Sequence, residues 1–191
     1  MADRAPIAVL ISGRGSNMAA LAAAARDAAC PFRLSVVIAN DPAAPGLAIA
    51  AAEGIPTAAR SHAGLSRALH EAWIEAALGE AEWIALAGYM RLLSPDFVAR
   101  HAGRIVNIHP SLLPRHKGLD THTRALAAGD AEHGCTVHLV TAALDDGPVL
   151  AQARVPVLPG DDAGALAARV LAEEHRLYPA ALAALVTGAA R

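Results

Sequence analysis

The most chemically suggestive segment of the chain is NIHPSLLP, residues 107–114. The apolar run at 104–108 predicts a strand, so alternation places Asn107 and His109 on one face near its carboxyl end. An amide donor beside an imidazole suits the oxyanion that appears during acyl transfer. Asp145, from a separate loop, could hold the imidazole and favour its protonated form. The pattern therefore favours acyl-transfer chemistry.

A second functional segment is the glycine-rich turn SGRGSN, residues 12–17, between a predicted strand and a predicted helix. The backbone N–H groups of such a turn bind anions, phosphate above all, with help from the helix dipole. Gly13 and Gly15 allow the turn and a close approach, while Ser16 and Asn17 are expected to cap the helix and add side-chain donors. The alternative is a capped helix start that binds nothing.

A dinucleotide-binding turn is less well supported than a site for one phosphate. The fingerprint G-x-G-x-x-G lacks its third glycine, because Met18 stands there. The acidic residue that such a turn needs about 20 positions later is also missing from its place, because Asp41 comes late, after the second strand. A single phosphate, as in a mononucleotide, therefore fits better than NAD.

A metal site is the other chemistry that the residue types allow. Its ligands would come from His109, His116, His122, His133, Cys135 and His138. No H-E-x-x-H or paired C-x-x-C pattern accompanies them. The sequence therefore predicts no metal, and it predicts two reduced thiols at Cys30 and Cys135.

The elements that must position these residues alternate between strand and helix. Strands are predicted at 7–11, 34–39, 83–87, 104–108, 135–140 and 149–157, and helices at 18–29, 46–53, 65–78, from Pro95 onward, and from 163 to 177 or slightly beyond. Alternation predicts an α/β fold with a mostly parallel sheet and right-handed crossovers. The short connection at 141–148 permits an antiparallel hairpin. In the third helix the expected buried stripe is Leu65, Leu69, Trp73 and Leu78, and Ser94 is the expected N-cap of the fourth.

Composition narrows the class of protein further. The chain has 191 residues, which suits a single α/β domain, and a formal net charge of -2. A nucleic-acid binder would need clustered Lys and Arg, and none are present. The longest stretch free of charged residues, 177–190, is shorter than the ~20 residues that a membrane-spanning helix needs. We therefore expect a cytoplasmic protein without nucleic-acid or membrane partners.

Several longer segments of the sequence resemble those of a known family. LISGRGSN, LAGYMRLLSPDFV, GRIVNIHPSLLPRHKGLDTH, EHGCTVHLV, LDDGPVLAQARVPV and EEHRLYP occur in order and cover nearly the whole chain. Through them the chain resembles the phosphoribosylglycinamide formyltransferase family, the folate-dependent enzymes of purine synthesis. NIHPSLLP is specific to the wider formyltransferase group, and GRGSN and GLDTH narrow the match. The resemblance implies the formyltransferase fold: a Rossmann-like, mostly parallel sheet flanked by helices, with an antiparallel C-terminal strand element.

The resemblance also implies roles at matching positions. The catalytic residues would be Asn107, His109 and Asp145. The ribonucleotide would be held by Gly13, Gly15, Ser16, Asn17 and Glu174. The folate would be held by Arg67, Met90, Arg91, Leu92, Leu93, Asn107, Val140 and Asp145. One domain would span 1–191, with a nucleotide-phosphate half at approximately 1–100 and a folate-binding and catalytic half at 101–191.

The implied reaction moves the formyl group of 10-formyltetrahydrofolate to the amine of glycinamide ribonucleotide, with the folate as co-substrate and no metal. The expected partners are these small molecules, and the expected state is a monomer or homodimer. A 10-formyltetrahydrofolate hydrolase on the same scaffold is the nearest alternative, although the hydrolases carry an extra N-terminal domain. Methionyl-tRNA formyltransferase would need an RNA-binding extension. A nucleotide-binding oxidoreductase or a non-catalytic binding module is the alternative from another class.

Three positions depart from the pattern of the resembled family. Arg14 stands where asparagine is common, and Asp120 stands where many relatives have histidine. Asp146 replaces the glycine expected after the catalytic aspartate. None of the three removes a catalytic group, and Arg14 would add positive charge near a bound phosphate.

Overall fold

The computed structural model describes residues 4–189, in which strands and helices alternate as the sequence predicts. The strands are β1 (Ala5–Ile11), β2 (Phe32–Ala39), β3 (Thr57–Ala59), β4 (Trp83–Leu86), β5 (Ile105–His109), β6 (Glu132–Leu139) and β7 (Val149–Pro156). The helices are α1 (Ser16–Ala25), α2 (Gly46–Ala52), α3 (Arg67–Leu78), α4 (Pro95–Arg100), α5 (Thr121–Ala127) and α6 (Ala163–Val186). No helix within these residues is both long enough and apolar enough to span a membrane.

All seven strands form one sheet in the order β3-β2-β1-β4-β5-β6-β7. The first five in this order run parallel, and β6 and β7 pair antiparallel to their neighbours. The mostly parallel sheet and the antiparallel C-terminal hairpin are both confirmed. The order reverses at β1 and β4, which is where open α/β sheets leave a crevice at the carboxyl ends of their strands.

The core has two layers because the sheet is covered on both faces. Alternate residues of β1 serve opposite layers: Ile7, Val9 and Ile11 pack with α1 and α6. Ala8 and Leu10 pack with α3 and α4 on the other face. Burial on both faces explains why β1 is a continuous apolar run rather than an alternating one.

The long last helix is joined to the sheet by a buried hydroxyl. Tyr178 on α6 is fully buried, and its Oη lies 3.0 Å from the carbonyl oxygen of Leu86 and 3.1 Å from that of Val106. These carbonyls belong to β4 and β5, the strands that border the crevice. One side chain of α6 thus contacts both neighbouring strands just below the segment that carries Asn107.

Several element predictions need correction. The first helix ends at Ala25 rather than near residue 29, and the last continues to Val186, through Pro179. The elements β3 and α5 were not predicted. The stripe expected on α3 is correct at Leu78 but wrong at Leu69, which is 61% exposed, and the buried face also carries His70, Glu71 and Ile74. Ser94 is the N-cap of α4 as predicted, accepting a hydrogen bond from the Phe97 N–H.

Candidate active site

The carboxyl end of β5 brings a histidine and a carboxylate together. His109 is the last residue of β5, and Asp145 lies in the loop between β6 and β7. The Nδ1 atom of His109 is 3.4 Å from Oδ2 of Asp145, and both side chains are buried. The carboxylate therefore holds the imidazole in place at the end of β5, two residues along the same strand from Asn107.

Asn107 faces a second buried histidine. Because β5 and β6 pair antiparallel with Asn107 opposite His138, the two side chains share one face of the sheet. Nδ2 of Asn107 is 3.2 Å from Nε2 of His138, which lies 3.8 Å from Oδ1 of Asp145. Nδ1 of His138 donates to the carbonyl oxygen of Leu139 at 2.9 Å, so Nε2 is the acceptor for the Asn107 amide.

The charge state of His138 follows from its surroundings. Burial lowers the pKa of His138, and the carboxylate of Asp145 opposes that shift only in part. A neutral His138 can accept one N–H of the Asn107 amide, which leaves the second N–H of that amide free. His138 therefore orients Asn107 as a hydrogen-bond donor.

A cavity of about 270 Å³ opens beside this group. Asn107, His138 and Asp145 line it, whereas His109 does not and approaches it only next to Asp145. The predicted folate residues lie on its wall except for Met90, which is 72% exposed and outside the lining. Those on the wall are Arg67, Arg91, Leu92, Leu93, Asn107, Val140 and Asp145. The structure thus gathers residues from four separate segments around one space.

The glycine-rich turn is built differently from the prediction. Gly15, not Ser16 or Asn17, is the N-cap of α1, and no side chain caps the helix. The first-turn N–H groups, including those of Ser16 and Asn17, therefore have no partner inside the helix and can meet an anion. Gly15 has φ +72°, and a Cβ there would lie 2.8 Å from the backbone of Gly46. Only glycine fits this position.

Asn17 and Glu174 connect the turn to the last helix. Nδ2 of Asn17 donates to Oε2 of Glu174 at 2.7 Å, and both side chains are buried. Burial raises the pKa of Glu174, against the opposing effect of the hydrogen bond from Asn17. Within residues 4–189, Oδ1 of Asn17 has no hydrogen-bond partner although it is buried. This pair offers an acceptor and a carboxyl group to a polar ligand near the turn.

The three residues that depart from the family pattern lie on turns or at the start of a helix. Arg14 is exposed on the turn. Asp120 is the N-cap of α5 with φ +56° and makes no side-chain cap bond. The carboxylate of Asp146 pairs with the Lys117 ammonium, and the positive φ of this turn falls on Asp145 instead. A glycine is therefore not needed at 146.

The histidines considered as metal ligands divide into separate groups. His133 Nε2 lies 3.2 Å from His122 Nδ1, and His116 Nε2 lies 2.7 Å from Oδ2 of Asp130. In the part of the chain from 4 to 189, no set of three or more His, Cys, Asp or Glu residues has the arrangement of a metal site. Cys30 and Cys135 are free thiols in the structure, as expected.

Sequence reasoning missed two contributions to this site. His138 was considered only as a metal ligand, yet it contacts Asn107; the strand register that brings them together is the signal that a strand-pairing argument would use. The main chain at residue 116 was missed altogether, although its carbonyl oxygen accepts a hydrogen bond from His109 Nε2 at 3.1 Å. A backbone contact cannot be predicted from residue types, because every residue carries the same carbonyl group.

Comparison with known proteins identifies the family. Residues 5–182 match the family model described as "Formyl transferase". Phosphoribosylglycinamide formyltransferase of Escherichia coli is 45% identical over 91% of this chain and 83% of its own length. The trifunctional purine biosynthetic protein adenosine-3 of Drosophila melanogaster is 47% identical over 98% of this chain, which spans only 14% of that protein.

A solved structure extends the agreement to the fold. The crystal structure of phosphoribosylglycinamide formyltransferase from Brucella melitensis superposes with a TM-score of 0.90 at 53% identity, covering 95% of each chain. A family model matching most of the chain, a relative aligned over most of both lengths and a shared fold all indicate the same family. The chain therefore belongs to the formyl transferase family.

Proposed function

We propose that this chain transfers the formyl group of 10-formyltetrahydrofolate to the amine of glycinamide ribonucleotide, giving formylglycinamide ribonucleotide and tetrahydrofolate in purine synthesis. The single observation that carries the proposal is the meeting of Asn107, His109 and Asp145 at the end of β5, beside the cavity. The names of similar proteins support the choice of acceptor, because the bacterial relatives are called phosphoribosylglycinamide formyltransferases.

The chemistry of this transfer balances without a metal or redox group. The neutral amine attacks the formyl carbon, and the carbonyl oxygen becomes an oxyanion. The free N–H of Asn107 donates a hydrogen bond to that oxyanion, and the His109–Asp145 pair at the end of the same strand supplies the polar environment around it. The bond from the formyl carbon to the folate nitrogen then breaks, and the proton lost by the amine ends on that nitrogen.

The two substrates would meet near these groups from different directions. The folate occupies the cavity, where Leu92, Leu93 and Val140 give an apolar wall and Arg67 and Arg91 give positive charge. The phosphate of the ribonucleotide binds the N–H groups of the turn at Gly13, Gly15 and Ser16. Asn17 and Glu174 then lie where they can contact the glycinamide portion. Holding both substrates together supplies much of the acceleration.

A steady-state assay with and without glycinamide ribonucleotide tests the proposal. Loss of the formyl group from the folate should require the ribonucleotide, and formylglycinamide ribonucleotide should accumulate one for one with tetrahydrofolate. Equal turnover with water alone would instead assign a hydrolase. Binding of NAD without binding of the folate would point to an oxidoreductase or a nucleotide-binding module.

A further inference from the structure

A short loop segment contacts both His109 and Asp145 through its main chain. We call residues 115–118 the bracket segment. The carbonyl oxygen of His116 accepts from His109 Nε2 at 3.1 Å, and the N–H of Gly118 donates to Asp145 Oδ2 at 2.8 Å. The orientation of both side chains therefore depends on the position of this backbone.

The backbone contact fixes a proton on Nε2 of the imidazole. A carbonyl oxygen can only accept, so Nε2 of His109 must carry the proton in this hydrogen bond. Nδ1 is then the atom directed at Asp145, where a second proton makes the imidazolium. Displacing the carbonyl oxygen of His116 would remove the hydrogen bond that holds Nε2 and leave the ring with Asp145 as its polar contact.

The bracket segment is in a conformation that needs external support. His116 has φ +53°, in the left-handed region that residues other than glycine adopt infrequently. Such a residue persists only where its surroundings hold it there. The Ser111 hydroxyl also contacts this turn, donating to the carbonyl oxygen of Arg115 at 2.7 Å. This hydrogen bond holds the main chain of the turn, but it does not hold the side chain of His116.

Asp130, which lies just after the end of α5, supplies that support through its carboxylate. Its Oδ2 is 2.7 Å from His116 Nε2, and its Oδ1 accepts from the guanidinium of Arg115. Burial alone would raise the pKa of Asp130, but the hydrogen bond from His116 and the charge of Arg115 outweigh it and lower that pKa. The main chain of Asp130 is fixed in turn, because its N–H donates to the carbonyl oxygen of Ala125 at 3.1 Å.

We propose that Asp130 is a positioning residue for formyl transfer: by gripping Arg115 and His116 it holds the bracket segment against His109 and Asp145. Asp130 touches neither the cavity lining nor any candidate catalytic side chain, so it acts through the backbone of its partners. This role rests on the proposed function for its kinetic consequence. Its structural consequence, a hydrogen-bonded Nε2–H of His109, holds whatever the substrate is.

The test compares Asp130→Asn with Asp161→Asn. Asp161 is a matched control, since it is also a buried carboxylate bonded to an arginine, Arg169 at 2.7 Å, but it precedes α6 and does not reach the bracket segment. Asp130→Asn should lower kcat about tenfold to about 100-fold, since small misplacements of reacting groups cost that much. KM for each substrate should stay within about threefold. Asp161→Asn should lower the melting temperature similarly and leave kcat unchanged.

An NMR measurement tests the positioning role of Asp130 independently of the proposed reaction. Nitrogen-15 spectra of the imidazoles should show a hydrogen-bonded Nε2–H of His109 in the wild type and the loss or weakening of that hydrogen bond in Asp130→Asn. A second variant, His116→Asn, tolerates the left-handed backbone but is too short to reach Asp130. Its effect and that of Asp130→Asn should fail to add in the double variant.

These outcomes decide the matter in both directions. Unchanged His109 signals in a folded Asp130→Asn protein would overturn the positioning role, as would additive effects in the double variant. A fall in kcat no larger than that of Asp161→Asn would do the same. If no formyl transfer occurs in the wild type but the His109 signals change as described, the proposed function fails while the positioning role stands.

Discussion

Among single residues, Asp145 has the most direct link to the chemistry. Its carboxylate lies beside Nδ1 of His109 and lines the cavity. Asp145→Asn keeps the shape but removes the charge that favours a protonated imidazole. We expect kcat to fall about 100-fold or more, which is the scale of electrostatic and acid–base contributions. Equilibrium titration should find ribonucleotide affinity nearly unchanged, and near-normal kcat would mean that Asp145 does not support His109.

His138 acts on the other member of the group, Asn107. His138→Phe keeps a buried ring but removes the acceptor that orients the amide, which should lower kcat about tenfold, the equivalent of one net hydrogen bond. His70→Phe is a suitable control, because it makes the same change at an equally buried histidine on α3. Equal kcat values for the two variants would show that the contact with Asn107 has no kinetic role.

At the scale of elements, the turn before α1 depends on one glycine. Gly15→Ala should weaken ribonucleotide binding about tenfold and leave folate binding within twofold, because the new Cβ meets the backbone of Gly46 and displaces the turn. Gly54→Ala is the control: Gly54 also has positive φ, but open space surrounds it. Separate titrations of the two ligands measure both effects. Equal losses for both ligands would show that the substitution unfolds the region instead of altering the turn.

The elements that the sequence predicted well are those that periodic burial dictates. β1, β2 and α6 carry apolar runs or stripes that fit only a buried strand or a long amphipathic helix. β3 has only three residues, Thr-Ala-Ala, and owes its strand character to pairing with β2. α5 is seven residues long with little apolar periodicity. Tertiary contacts, which no local pattern records, determine both of these elements.

The same distinction applies within the site. Asn107, His109 and Asp145 were found because their side-chain types suggest chemistry, and the structure brings them close together. His138 and the backbone of His116 contribute through strand register and a left-handed turn, which one sequence does not reveal. The capping role expected of Ser16 and Asn17 was wrong because Gly15, in the left-handed region, begins the helix.

At the scale of the whole molecule, buried histidines set the response to acid. Burial lowers the pKa values of His70, His138 and His133, and neighbouring imidazoles help to bring that of His133 to about 4. An imidazole held neutral in the folded state gains its proton on unfolding, so stability is present above the ordinary value near 6.5 and is lost below it. Glu174 has the opposite sign, since its raised pKa favours the folded state at low pH.

Burial also lowers the pKa values of His122 and His175, so the histidines outnumber the one carboxyl whose pKa is raised. The free energy of unfolding should therefore fall as the pH is lowered from about 6.5 to about 4. Urea titrations at several pH values measure this slope. His133→Asn should flatten it, since asparagine takes up no proton on unfolding. A slope that is unchanged by the substitution, or that has the opposite sign, would contradict this account.

The hydroxyl of Tyr178, shared between the carbonyls of β4 and β5, has an optical consequence. Burial raises its pKa well above the ordinary value for a phenol, and burial also raises the pKa of Tyr89 to about 12. These are the chain's two tyrosines, so neither ionises at moderately alkaline pH while the protein is folded. Their ultraviolet tyrosinate absorbance should therefore appear in one steep step, because the loss of the fold exposes both phenols. The intact sheet thus carries its own unlabelled reporter of alkaline unfolding.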